Sequence, residues 1–325
     1  MTLKNTFIPY VLTCALTLAG LLLPAGAATS ATPRPPKGAA GDTATITPGA
    51  DDAVDAGDDG DGGADVAEVG DAAAAAHATP AADPAPRVFS GNGFDTCQAP
   101  DLATMDAWRT HSSYGAAGIY FGGRARACST QANLTPDWVR QTTASGWSLL
   151  PIYVGSQSPC VEGTNKNPYL IDTKNPAAQG TSEGADAVRA AGALGLDPGS
   201  ALYLDMEAYD ITDTACKAAT LTYIQAWDRA LRAAGYLSGF YSSADSGVTH
   251  LESARRAGAA DLPDAIWFGR WGVPASLVDE PSLAADAWTP HARIHQYHGS
   301  VTETYGGKSL NIDRDLLDAP VAVVG

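Results

Sequence analysis

Ala201-Leu202-Tyr203-Leu204-Asp205-Met206-Glu207 decides the fold: an apolar and aromatic run that closes on two carboxylates spaced two residues apart. As a strand it sends alternate side chains to opposite faces, so Asp205 and Glu207 share one face while Leu204 and Met206 take the other. Two acids then converge at one strand end. Such a pair suits general acid/base chemistry on a glycosidic bond, and it is costly to bury without a task.

Similar runs recur on both sides of it. Strands are predicted at Gly91–Thr96, Ala116–Phe121, Ser148–Val154, Ala201–Glu207, Leu237–Ser242, Ala265–Arg270, Arg293–Tyr297 and Leu310–Asp313. Helical stretches with clear starts and stops lie between them. Thr135-Pro136-Asp137 caps one that ends at Gly146; Ser182–Ala193, Cys216–Ala234 and His250–Ala257 are each followed by glycine within two residues. After the sixth and seventh strands Pro274, Pro281 and Pro290 interrupt the helical pattern. Strand and helix alternating to a count of eight is the signature of an α/β (β/α)8 TIM barrel. An open doubly wound sheet is the alternative, but no Gly-x-Gly-x-x-Gly follows the first strand to support it.

A barrel of this kind gathers its functional groups at the C-terminal ends of its strands. Polar residues fall there: Asp95 on the first, Asp205 and Glu207 on the fourth, Tyr241 and Ser242 on the fifth, Arg270 and Trp271 on the sixth, Gln296 and Tyr297 on the seventh, Asp313 on the eighth. Glu207, with the longer reach, is expected to hold a raised pKa and protonate a leaving oxygen, while Asp205 orients or stabilises positive charge. Asp95 and Asp313 adjoin because the first and eighth strands do, and Asp315 is assigned to the turn after the eighth. The competing roles are a helix cap or an ion pair with Arg270 for the central acids, and acceptance of loop N–H groups for Asp95 and Asp313. Tyr209, Trp271 and Tyr297 offer platforms for a sugar ring. Four carboxylates with His295 and His298 nearby also suit a divalent cation, yet no His-x-His sits at the first strand and no His-Glu-x-x-His occurs. The reading therefore assigns neither metal nor cofactor.

At the N-terminus Lys4, an apolar run from Phe7 to Leu23 and Ala25-Gly26-Ala27-Ala28 form a secretory signal peptide over residues 1–27. A membrane anchor is the alternative, disfavoured by Pro9 and Pro24. Residues 28–87, rich in Ala, Gly, Pro and Asp, lack the apolar surface to offset ordering and are expected to be a disordered linker. Of the net charge of −16, about half lies in that linker. An acidic balance without a Lys/Arg cluster argues against nucleic acid and against anionic membranes as partners. Residues 88–325 then make one barrel, taken as a monomer. With the signal removed, Cys97, Cys128, Cys160 and Cys216 remain, an even number that suggests two disulfides in an exported chain. Neighbouring consecutive strands favour Cys97 with Cys128 and Cys160 with Cys216, all in loops at one rim. The other pairings, and a catalytic cysteine, stay open.

Gly93-Phe94-Asp95-Thr96-Cys97-Gln98-Ala99-Pro100, Tyr203-Leu204-Asp205-Met206-Glu207, His295-Gln296-Tyr297 and Ile312-Asp313-Arg314-Asp315 resemble, in order, the glycoside-hydrolase-like barrels of the domain-of-unknown-function 1906 family. That family is in turn similar to the family 25 lysozymes that cut peptidoglycan. The resemblance implies catalytic acids at Asp95, Asp205, Asp313 and Glu207, with Glu207 the proton donor. Two departures bear on the sugar subsites: His295 begins a motif that usually reads Trp-Gln-Tyr, and Arg314-Asp315 follow Asp313 where the lysozymes tend to have an apolar residue and Asn. The expected protein is secreted and disulfide-stapled, and it hydrolyses cell-envelope polysaccharide, peptidoglycan first, with Gln296, Tyr297, Tyr241, Trp271, Arg270 and Tyr209 binding substrate. On an N-acetyl sugar, attack by the acetamido oxygen with Asp205 stabilising the cyclic intermediate is one route, and direct attack by water the other. A catalytically silent glycan-binding barrel and a metal-dependent hydrolase are the alternatives.

Overall fold

Eight strands close into one barrel, in the order β1 to β8 around its wall, in a computed structural model that describes residues 86–325. The expected signal peptide and all but the last two residues of the expected linker lie outside the described residues. The strands are β1 (Val88–Asp95), β2 (Tyr114–Gly122), β3 (Ser148–Tyr153), β4 (Ala201–Asp205), β5 (Leu237–Ser243), β6 (Ala265–Gly269), β7 (Arg293–Tyr305) and β8 (Lys308–Pro320). The helices are α1 (Leu102–His111), α2 (Pro136–Ala144), α3 (Pro176–Ala193), α4 (Thr214–Ala233) and α5 (Thr249–Arg256).

Local chemistry sets most of the helix starts. Thr135 caps α2 through the Trp138 N–H with Pro136 at the first position, and Asp213 caps α4 through the Cys216 N–H. Sequence reasoning passed over α1, whose cap is Asp101, accepting from the Thr104 N–H at 2.7 Å. It also began α3 at Ser182, six residues late. Gly180 and Gly184 weaken that stretch as an isolated helix, yet a Cβ on either would run into α4, so they permit the close approach of the two helices.

The largest departure is β8, which runs antiparallel to both β7 and β1. β7 does not stop at Tyr297 but continues to Tyr305, where Gly306 and Gly307, with φ of 55° and 75°, turn the chain straight into β8. A two-residue turn with left-handed backbone at both positions builds a hairpin, and a hairpin can only return antiparallel. No helix follows β6 either. Residues 270–292 make an irregular excursion, held by the buried guanidinium of Arg293, which donates to the carbonyls of Leu277 (2.8 Å), Ala284 (2.6 Å) and Ala287 (2.8 Å).

Two apolar layers result from strand alternation. Leu150, Ile152, Tyr203, Trp267 and Leu317 fill the barrel, while Phe94, Trp108, Trp147, Trp227, Phe240 and Phe268 pack between barrel and helices. Inside the barrel small faces large: a Cβ on Gly239 would overlap the Tyr203 ring. Both favoured disulfides are present, Cys97–Cys128 with Cα atoms 5.7 Å apart and Cys160–Cys216 at 6.0 Å. Cys216 lies in the first turn of α4 rather than in a loop. Among the described residues no helix is long and apolar enough to cross a membrane.

Candidate active site at the barrel mouth

Asp95 and Asp205 are the last residues of β1 and β4, and both point inward at 2% and 6% exposure. With Tyr120, Tyr241, Trp267 and Gln296 they line a cavity of about 10 Å³ at the mouth, room for roughly one water molecule. Tyr120 donates its hydroxyl to Asp95 Oδ1 at 2.8 Å, and Gln296 donates Nε2 to Asp95 Oδ2 at 2.8 Å. The Gln296 amide is oriented by two donors on its oxygen, the Tyr241 hydroxyl at 2.9 Å and the Trp271 indole N–H at 3.0 Å. Trp271 is half exposed at the rim, its ring against the backbone of Gly299, where a Cβ would overlap it.

Asp313 sits opposite Asp95 in the antiparallel register and accepts the Ser300 N–H at 2.6 Å. It lies in the middle of β8, not at its end, and reaches the mouth because the strand runs downward from the rim. The same reversal places Asp315 inside the barrel at 0% exposure, where sequence reasoning had put it in a turn. Trp267 donates its indole N–H to Asp315 Oδ1 at 3.0 Å, and Oδ2 has no protein partner.

Burial is the main cause of the proton affinities here. It raises the pKa of Asp95 well above the carboxylate range, helped by the charge of Asp313, and it does the same to Asp315. Asp313 is raised less, again by burial. Asp205 is pushed up to about 8, first by burial and then by the charge of Glu207, with Lys166 opposing. Its Oδ1 has no hydrogen-bond partner in the protein.

Glu207 lies two residues beyond the end of β4, with its side chain 45% exposed and Oε1 3.5 Å from Lys166 Nζ. The sequence points to Glu207 as the acid and Asp205 as its stabilising partner; in the structure Asp205 is the buried carboxyl of the two, with its pKa raised, and Glu207 stands at the rim beside a cation. Arg270 is not at the site. It follows β6 on the outer face, where Glu280 (2.7 Å) and Asp245 (2.6 Å) bind its guanidinium. Nor does it pair with Asp205 or Glu207. Tyr209 is buried at 1%, its hydroxyl 2.8 Å from His250 Nδ1, so it offers no platform. Tyr297 is half-buried against the His295 ring and does not line the cavity. His295 itself stacks on Phe268, with Nε2 at 2.9 Å from the Arg270 carbonyl. Among the described residues the one metal-type cluster is Cys160, Asp213 and Cys216, whose sulfurs are joined to each other.

Lys166 and Gln157 were missed at the sequence level. Both come from the connection between β3 and α3, and no motif marks them. Trp267 and Tyr120, which also line the cavity, lie within β6 and β2, and strand parity is the signal that could have found them.

Residues 106–317 match the family described as Rv2525c-like, glycoside hydrolase-like domain. Among solved structures, the Tat-secreted protein Rv2525c of Mycobacterium tuberculosis with L-tartrate is 16% identical, with a TM-score of 0.47 over 70% of this chain and 96% of that one. An uncharacterised B. stearothermophilus protein is 19% identical, with a TM-score of 0.44 over 70% and 95%. The spore cortex lytic enzyme SleM of Clostridium perfringens is 13% identical, with a TM-score of 0.45 over 70% and 67%. No curated protein matches.

Proposed function

Since the chain belongs to the Rv2525c-like, glycoside hydrolase-like domain family, we propose that its barrel mouth hydrolyses glycosidic bonds of an extracellular, cell-envelope polysaccharide, with peptidoglycan the first candidate. The observation that carries this reading is Asp205: a buried carboxyl at 6% exposure that lines the mouth cavity, its pKa raised to about 8 and one of its oxygens unpartnered. Near neutral pH it holds a proton where a hydrolase of this type needs an acid.

The cavity floor admits about one water, so a sugar ring binds above it, on the solvent side where Glu207 and Trp271 are exposed. Glu207 is the group a glycosidic oxygen meets first, and we assign it delivery of the one proton that it shares with Asp205, which ionises when Glu207 takes the proton up. Asp205 stands behind it as its partner acid. The carboxyl groups below, held in place by Tyr120, Gln296 and the Ser300 N–H, turn their oxygen atoms toward the charge that develops on the ring. Trp271 supplies a stacking face with a fixed edge.

The test is release of soluble muropeptides from purified cell walls by the wild type and by Glu207→Gln. Release by the wild type alone supports the reading. If neither protein releases product while both bind the wall equally, the barrel is a binding module instead.

A further inference from the structure

Between Tyr153 and Pro176 the chain does not pass directly from β3 to α3. It lies against the residues that leave β4: the Glu162 N–H donates to the Ala208 carbonyl at 2.8 Å, the Asp210 N–H donates to the Cys160 carbonyl at 3.1 Å, and Val161 bridges Tyr209. The Cys160–Cys216 disulfide joins the same two segments covalently.

Gln157 sits at the inner end of this contact and is wholly buried. Its Nε2 donates to the Asp205 carbonyl at 2.9 Å and to the Gly155 carbonyl at 3.2 Å, and its Oε1 accepts the Glu207 N–H at 2.8 Å. One side chain thereby fixes the backbone on both sides of Met206, where β4 has ended and the last bond to β5 is that of the Met206 N–H to the Tyr241 carbonyl at 3.0 Å. A primary amide suits this task because its nitrogen donates two hydrogen bonds while its oxygen accepts the third. The clamp is itself anchored. The Gln157 N–H donates to the Tyr169 carbonyl and its carbonyl accepts the Ile171 N–H, both at 2.8 Å. Next to it, the Ser156 N–H donates to Glu183 Oε2 at 2.7 Å, a carboxylate also bound by Gln179 and Tyr223.

We propose that Gln157 is a positioning residue for Glu207, setting the height at which its carboxyl meets the scissile bond. This rests on the glycosidase reading of the mouth. A glutamine that merely supported the fold would affect stability and leave turnover by the folded protein unchanged.

The experiment compares full-length wild type, Gln157→Leu and Gln157→Glu, at a temperature where circular dichroism shows each variant folded, using purified peptidoglycan as substrate. Misplacing a reacting group by about 1 Å costs on the order of 10²-fold. Gln157→Leu should therefore lower kcat by about that factor with KM within about twofold. Gln157→Glu keeps the acceptor for the Glu207 N–H and, protonated in this buried site, only one of the two donors, and should lose roughly tenfold, the smaller part of that effect. Amide exchange in peptides spanning residues 204–209 should quicken in the order wild type, Gln157→Glu, Gln157→Leu. If Gln157→Leu does not fold, Gln157→Glu carries both measurements. Turnover by the wild type with unchanged kcat in the variants overturns the Gln157 proposal alone, as does lost kcat with unchanged exchange. A wild type that releases nothing overturns the glycosidase reading and the positioning role with it.

Discussion

The parallel wall of the barrel, β2 to β6, and the corner formed by β7, β8 and β1 bring carboxylates to one mouth by opposite routes. In the parallel wall, position along a strand gives height in the barrel, so Asp205 reaches the rim by being the last residue of β4. At the corner the direction reverses, and Asp313 reaches the same level from the middle of β8, with Asp315 one step deeper. A buried acid is thus placed by strand direction as much as by sequence position. The acids also differ in what holds them. Asp95 and Asp313 have defined donors in Tyr120, Gln296 and Ser300, whereas Asp205 Oδ1 has none.

Substitution at the two routes should separate them sharply. Glu207→Gln, on the β4 side, should lower kcat for glycan hydrolysis toward the upper end of the roughly 10²–10⁴-fold range for loss of a positioned acid. Asp313→Asn, at the corner, should lower it less, by about 10²-fold, because the amide keeps an oxygen to accept the Ser300 N–H. Equal losses in a muropeptide-release assay would break the distinction.

A change in the packing that supports the corner comes next. Trp108 on α1 is fully buried, lies 5.1 Å from the Phe94 ring and 5.0 Å from the Tyr305 ring, and donates its indole N–H to the Lys308 carbonyl at 2.9 Å. Trp108→Ala should cost about 3–5 kcal/mol in urea denaturation and should loosen the hairpin before the parallel wall, with exchange quickening first in residues 300–313.

Protonation distinguishes the routes again. The pKa of Asp205 is raised to about 8 when folded, against the ordinary carboxyl value of 3.8, so the folded state holds a proton that the unfolded state releases in between. Its contribution to stability is complete below about 4 and is lost as pH rises to about 8. Asp205→Asn removes that loss. The variant should be more stable than the wild type at pH 8 by a few kcal/mol, on the order set by a shift of several units, and the difference should vanish near pH 4. Urea midpoints across this pH window check it; a difference independent of pH would mean that Asp205 is ionised in the folded protein. Asp95 and Asp315 shift in the same direction, so part of the slope survives in the variant.

What could be read from the sequence follows the same division. The closed barrel, Asp95, Asp205 and the two disulfide pairings were legible because parallel strands and neighbouring loops obey local rules. Asp313 was found for the wrong reason, and Asp315 was lost because β8 was expected to stop at Asp313. Arg270 misled because it follows the last inward residue of β6 by one; the outer face there holds buried Glu280, which needs a cation. Tyr209 misled because the β3–α3 connection folds over it. Gln157 and Lys166 were illegible for a related reason: they act on Glu207 from 50 and 41 residues away, through a connection whose path no periodicity encodes.

The corner depends on a small device, and the smallest expected effect tests it. Gly307 has φ of 75° and open space where a Cβ would stand, so Gly307→Ala meets backbone strain and no clash. The left-handed conformation costs an alanine about 1–2 kcal/mol. A loss of that size, with the barrel intact by circular dichroism, would show that the turn only sets a local cost. Gly306→Ala adds contact with Ala107 and the His111 ring on α1, and should lose more. If instead Gly307→Ala abolished folding while Trp108→Ala did not, the two-residue turn would be what commits β8 to its antiparallel course, ahead of the packing beneath it.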